Sequence, residues 1–79
     1  MGKIRYESNA GCNDSVYEVE KGLTPEQAIA YDLMHSLSEY EMCGIECDYI
    51  EGFDSDGNYY VELWVCGGDG YEKWTVISE

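Results

Sequence analysis

The residues able to do chemistry are few and scattered. Four cysteines stand at Cys12, Cys43, Cys47 and Cys66, and a single histidine stands at His35. The Cys43-x-x-x-Cys47 spacing falls within the broad range of zinc ligands, but Cys12 and Cys66 stand alone and no CxxC knuckle is present. An even cysteine count also invites a disulfide framework, which needs an oxidising compartment. With no signal-like apolar stretch at the start, a reducing compartment is expected, ordinary reduced thiols are the favoured reading, and no metal is assigned. His35 lies near Asp32 and Glu39, at helical spacings of three and four. A neighbouring carboxylate can orient an imidazole for acid–base work. In so acidic a chain, however, nearly every helical turn holds a carboxylate, and no Ser or Cys nucleophile is tied to His35 by spacing. It reads as a surface histidine, and no catalytic residue is assigned.

Two loops suggest ligands and are explained better as turns. Asp54-Ser-Asp56-Gly-Asn58 with Glu62 resembles a calcium loop in composition. An EF-hand needs Gly at position 6 and Glu at position 12, whereas Gly57 falls at 4 and Glu62 at 9. Asp-Gly and Gly-Asn instead supply the positive φ angles of a tight hairpin turn. Gly67-Gly-Asp-Gly70 is glycine-rich but lacks the following helix and the lysine of a phosphate cradle. No cofactor is assigned.

The elements that must position these residues can be read from periodicity. Residues 3–8 alternate as a first strand, with Ile4 and Tyr6 on one face. Asn9–Asp14 is a turn cluster, and Val16–Glu20 a second strand completing a hairpin. Thr24-Pro25-Glu26-Gln27 is a helix start: Thr24 caps, Pro25 suits the first helical position, and Gln27 completes a capping box. The helix runs to about Met42 with an apolar stripe of Ile29, Ala30, Leu33, Met34, Leu37 and Tyr40. Gly44 ends it. Gln27, Tyr31, Asp32, His35, Ser38 and Glu39 form the opposite, solvated face. Three strands follow at 45–53, 59–66 and 71–78. The architecture is therefore α+β: a mostly antiparallel sheet of four to five strands in ββαβββ order, a single domain over 1–79, with one helix packed on one sheet face. The face under the helix is expected to hold Ile45, Cys47, Val61, Leu63, Val65, Trp74 and Val76, with Tyr6 or Ile4.

Alternation then places Glu46, Asp48, Tyr60, Glu62, Trp64, Lys73 and Thr75 on the other face. Aromatics exposed among charges are a feature of interaction sites. A slip of register in strand 45–53 would exchange its faces. The chain as a whole carries 17 Asp and Glu against 4 Lys and Arg, a formal net charge of −13. At 44% hydrophobic and 14% aromatic it is not an acidic disordered tail. Direct nucleic-acid binding needs a basic patch, which four scattered cations do not form. Solubility or compositional drift would account for the acidity, and so would a strongly basic partner. In the last case a rigid surface of carboxylates fits a groove built for nucleic acid, and attraction speeds encounter by ~10–10³-fold at low salt. The residues placed in partner contact are Glu46, Asp48 and Glu62 with Tyr60 and Trp64. Asp54, Asp56 and Asp69 in the turns, and Asp32 and Glu39 on the helix, come second. No run approaches the ~18–20 apolar residues of a membrane span, and the start at Met1 lacks a signal-like apolar stretch. A cytoplasmic location, the host cytoplasm for a phage-encoded chain, and no membrane contact are expected.

In size, charge and coarse architecture the whole chain resembles small acidic inhibitors of phages and mobile elements, of the anti-CRISPR and anti-restriction DNA-mimic type. The resemblance rests on no residue motif, so no site is carried over by position. It implies a non-enzymatic inhibitor that binds a basic host nuclease or nucleic-acid-binding complex and blocks its nucleic-acid site. The alternative is an accessory protein-interaction module, or an antitoxin-like partner of a basic protein.

Overall fold

The helix start is built as its residues require. The Thr24 hydroxyl accepts the Gln27 N–H at 3.1 Å, and the Gln27 side-chain oxygen accepts the Thr24 N–H at 2.9 Å. Two otherwise orphaned donors are satisfied reciprocally. Helix α1 spans Pro25–Met42. It closes at Gly44, whose φ of +75° needs a residue without a Cβ, and the Ile45 N–H returns to the Tyr40 carbonyl at 2.9 Å. A computed structural model describes residues 2–9, 13–66 and 70–77.

Five strands, β1 (Lys3–Ser8), β2 (Asn13–Glu18), β3 (Cys47–Phe53), β4 (Tyr59–Val65) and β5 (Tyr71–Ile77), form one antiparallel sheet in the order β2-β1-β5-β4-β3. The N-terminal hairpin thus joins the C-terminal meander through β1 and β5. The α+β class and the ββαβββ order are as expected. The second strand begins earlier than expected, at Asn13, because all six residues of β1 find partners, from Lys3–Glu18 to Ser8–Asn13. Past Glu18, Val19 still donates its N–H to the Gly2 carbonyl at 3.1 Å while its side chain enters the core. Ser78 and the Cys12 end of the first turn lie outside the described residues.

The core is Ile4, Val61, Leu63 and Trp74 from the sheet, Ala28, Ile29 and Leu33 from α1, and Val19. Burying each large apolar side chain contributes about 1.5–3 kcal/mol, so this short list bounds the stability. Helix α1 packs chiefly on β1, β5 and β4. This placement corrects the expected stripe. Ala30 and Met34 point toward β3, beyond the helix's principal contacts, and stay exposed, Met34 at 65%. Ala28 is buried in their stead. Ile45 precedes β3 and is exposed as well. Ile4 and Tyr6 both face the helix, Ile4 fully buried and Tyr6 partly.

Candidate functional site

The register of the last three strands settles which residues share the face away from α1. Asp48 pairs with Trp64, Ile50 with Glu62, and Gly52 with Tyr60. Across the next ladder Tyr60 meets Thr75, Glu62 meets Lys73, and Trp64 meets Tyr71. Because Val61, Leu63 and Trp74 are buried beneath the helix, these alternate residues form the open face, within which Thr75, expected to be exposed, is itself buried at 8%. Asp48, Tyr60, Glu62 and Trp64 are brought together as alternation required, and Trp64 is 37% exposed. The Tyr60 ring lies over Gly52, where a Cβ would sit 3.7 Å from it, and Lys73 Nζ lies 5.0 Å from the ring centroid. Glu62 is half-buried and accepts the Tyr71 hydroxyl at 2.6 Å. Burial, and then this bond, push the Tyr71 phenol upward.

The face is less uniformly acidic than alternation in three strands implied. β1 lies beside β5 and brings Lys3 and Arg5 onto the same side as Lys73. Three of the chain's four Lys and Arg residues therefore share the open face. Arg5 donates to both carboxylate oxygens of Asp14, at 3.0 and 2.7 Å, and approaches Glu7 at 3.9 Å. That paired fork holds the Asp14 carboxyl below its ordinary range. The charge on β2, β1 and β5 is thus largely matched. The unmatched excess lies in two places: the stretch from Glu46 to Asp56 holds five carboxylates and no Lys, Arg or His, and helix α1 holds four, Glu26, Asp32, Glu39 and Glu41, with no Lys or Arg.

Within that stretch the carboxylates differ. Glu46 and Asp48 are exposed at the start of β3. Asp48 lies 3.7 Å from the Cys66 thiol, which burial and then Asp48 push up. Asp54 is committed to the turn: one oxygen accepts the N–H groups of Asp56 and Asn58 at 2.9 and 2.8 Å. The turn's own N–H groups satisfy that oxygen. Asp56 is exposed at its tip, and Asp69 lies outside the described residues. On the helix Glu39 contacts His35 at 3.3 Å on the surface. Asp32 is not simply solvated, as expected of that face. It is half-buried and accepts the Tyr17 hydroxyl from β2.

Sequence reasoning missed a second polar site, on the helix side. Glu72 of β5 is 8% exposed and accepts hydroxyls from Tyr6 at 2.8 Å, Ser36 at 3.1 Å and Tyr40 at 3.2 Å. The available signal was alternation: Glu72 shares the parity of Trp74 and Val76. A cavity of about 230 Å³ borders this cluster, with Tyr17, Asp32 and His35 on its far wall. Three hydroxyls satisfy the Glu72 carboxylate, as burial of a carboxylate requires.

Cys43, Cys47 and Cys66 are free thiols, and Cys12 lies outside the described residues. Among the described residues no group of three or more His, Cys, Asp or Glu is placed to hold a metal ion. No described helix is long and apolar enough to cross a membrane. No family model matches the chain, and no match was found among curated proteins or solved structures.

Proposed function

We propose that this protein is a non-enzymatic acidic inhibitor that binds a basic nucleic-acid-handling protein and covers its nucleic-acid site, in the manner of anti-CRISPR and anti-restriction proteins. One observation carries the reading. Folding puts three of the four cations on β1 and β5 and leaves the β3 side with Glu46 and Asp48 exposed on the face of Trp64 and Ile50, Glu51 exposed on the other face, and Asp56 at the turn. A polyanionic rim around desolvatable aromatic and aliphatic surface suits a groove lined with Lys and Arg. The charges accelerate encounter and the apolar groups slow dissociation.

The second reading, an accessory or antitoxin-like partner of a basic protein, is favoured by the apolar surface on the helix side, where Met34, Met42, Tyr49 and Phe53 are exposed. Such surface suits a lasting complex.

One experiment separates them. The immobilised chain is presented with host lysate at low salt, and captured proteins are eluted by rising salt or by duplex DNA. Release of a basic nucleic-acid-binding protein by DNA supports the inhibitor. A basic partner that resists DNA supports the accessory role. Recovery of no basic protein at low salt overturns both.

A further inference from the structure

We infer that β3 is a docking edge for an extended, lysine- or arginine-bearing segment of a partner, which adds to the sheet as a sixth strand. The inference deepens the reading above and rests on it for the partner's basic character.

The backbone supplies the first observation. β3 is the last strand of the sheet, and among the described residues nothing pairs with its outer side. The Glu46 carbonyl accepts the Cys66 N–H, and the Asp54 N–H donates to the Asn58 carbonyl, each at 2.9 Å. Backbone groups alternate along an antiparallel strand. The even-numbered residues from Glu46 to Asp54 therefore turn theirs toward β4, and Cys47, Tyr49, Glu51 and Phe53 turn N–H and C=O outward. Seven residues make this a full-length edge; it holds no lysine or proline, and only the negative charge of Asp48 and Glu51 guards it.

Side chains supply the second. β3 projects beyond the principal contacts of α1, so Tyr49 and Phe53 are 47% and 63% exposed on its helix side. Between β3 and the helix lies a groove of about 260 Å³ lined by Ala30, Met34, Tyr49, Glu51, Tyr59 and Val61. This falls below the ~300–1,000 Å³ of small-molecule sites and suits a single apolar side chain of an added strand. On the other side Ile50 and Trp64 offer apolar contact next to Asp48.

Charge identifies the occupant. Glu46, Asp48, Glu51, Asp54 and Asp56 lie in or beside the edge with no cation among them. A second copy, itself at −13, would set these carboxylates against their own equivalents. The same charges attract a strand carrying Lys or Arg. One feature thus repels self-pairing and selects a basic partner. Strand addition takes affinity from main-chain bonds and specificity from alternate side chains.

The test uses the ¹⁵N-labelled intact chain and a short blocked peptide alternating lysine and valine. Amide exchange at Cys47, Tyr49, Glu51 and Phe53 is expected to slow by about tenfold at saturating peptide. A lysine–proline peptide, equally charged but unable to pair, and a glutamate–valine peptide are expected to leave these amides unchanged. Tyr49→Pro removes one outward N–H, a change that edge strands tolerate. It is expected to weaken the lysine–valine peptide at least tenfold while retaining the circular dichroism of the parent. Tyr49→Ala keeps that N–H and is expected to weaken it far less. No binding, protection at β2 instead, equal effects of the lysine–proline peptide, equal losses in the two variants, or protection of β3 by self-association each overturns the inference. Because the peptide stands apart from any nuclease, the two ideas fail separately. A captured basic protein that leaves the β3 amides unprotected sinks only the strand addition. A chain that binds the peptide on β3 but captures no basic protein sinks only the inhibitor.

Discussion

Glu72 accepts the hydroxyl of Tyr6 at 2.8 Å, joining β5 to β1 at the seam where the N-terminal hairpin meets the C-terminal meander. The two rings nearest the seam, Tyr6 and Trp74, lie 5.5 Å apart between centroids. Ser36 and Tyr40 bring the helix to the same carboxylate. One buried acid therefore ties three elements together through hydroxyls.

Removing a donor from it has a definite cost. A hydrogen bond to a charged group contributes about 1.5–3 kcal/mol. Tyr6→Phe is expected to destabilise the fold by about that amount, read as a lower urea midpoint at unchanged slope. A change below about 0.5 kcal/mol would show that the seam does not depend on this bond.

Alkaline pH acts on the same group. Burial, and then Glu72, push the Tyr6 phenol from its ordinary value of 10.0 up to about 12, and burial with Glu51 does the same to Tyr59. The folded pKa exceeds the unfolded one, so this stabilisation is complete below pH 10 and is lost as pH rises through 12. The fold is expected to lose stability across that window, followed by chemical denaturation at successive pH values. The decline should be shallower in Tyr6→Phe. An identical decline in both proteins would rule Tyr6 out as a source.

Carboxylates near the open face differ in what their replacement is expected to cost the fold. Glu46→Lys with Asp48→Lys alters exposed side chains, and stability is expected to stay within about 0.5 kcal/mol. Binding to a basic partner should weaken and its salt dependence flatten. Glu62→Lys breaks the bond from Tyr71 and sets a like charge opposite Lys73. It is expected to cost about 1–2 kcal/mol of folding stability. Unweakened binding by the Glu46→Lys/Asp48→Lys chain would remove these two residues from the contact.

The β3–β4 turn rests on backbone conformation and on one side chain. Gly57 has φ +83° with open space around it, so Gly57→Ala meets strain from the backbone alone, about 1–2 kcal/mol. Asp54→Ala loses an oxygen that accepts two N–H groups and is expected to cost a similar amount. Calcium is expected to leave the melting temperature of the parent unchanged. A rise in melting temperature with millimolar calcium would revive the cation reading of this loop.

Much of the architecture was legible because it depends on neighbours in the chain. Thr24, Pro25, Gln27 and Gly44 determine where α1 starts and stops through bonds within one helical turn. Strict alternation determines that Asp48, Tyr60, Glu62 and Trp64 share a face once Val61, Leu63 and Trp74 are buried. Such relationships span few residues, and the sequence by itself determined them. It also determined the composition of the β3 stretch, five carboxylates without a cation.

What lies across the sheet was decided only by the tertiary structure. Strand order is a choice among pairings far apart in the chain, and periodicity is silent on it. The pairing of β1 with β5 placed Lys3 and Arg5 on the same face as Lys73 and so offset part of the negative charge at that end of the open face. It also set Tyr6 against Glu72, 66 residues away. Resting α1 on the three central strands left Met34 and Ala30 exposed and β3 overhanging. The candidate site therefore moved from the whole open face to one edge, because unmatched charge and unpaired backbone coincide there.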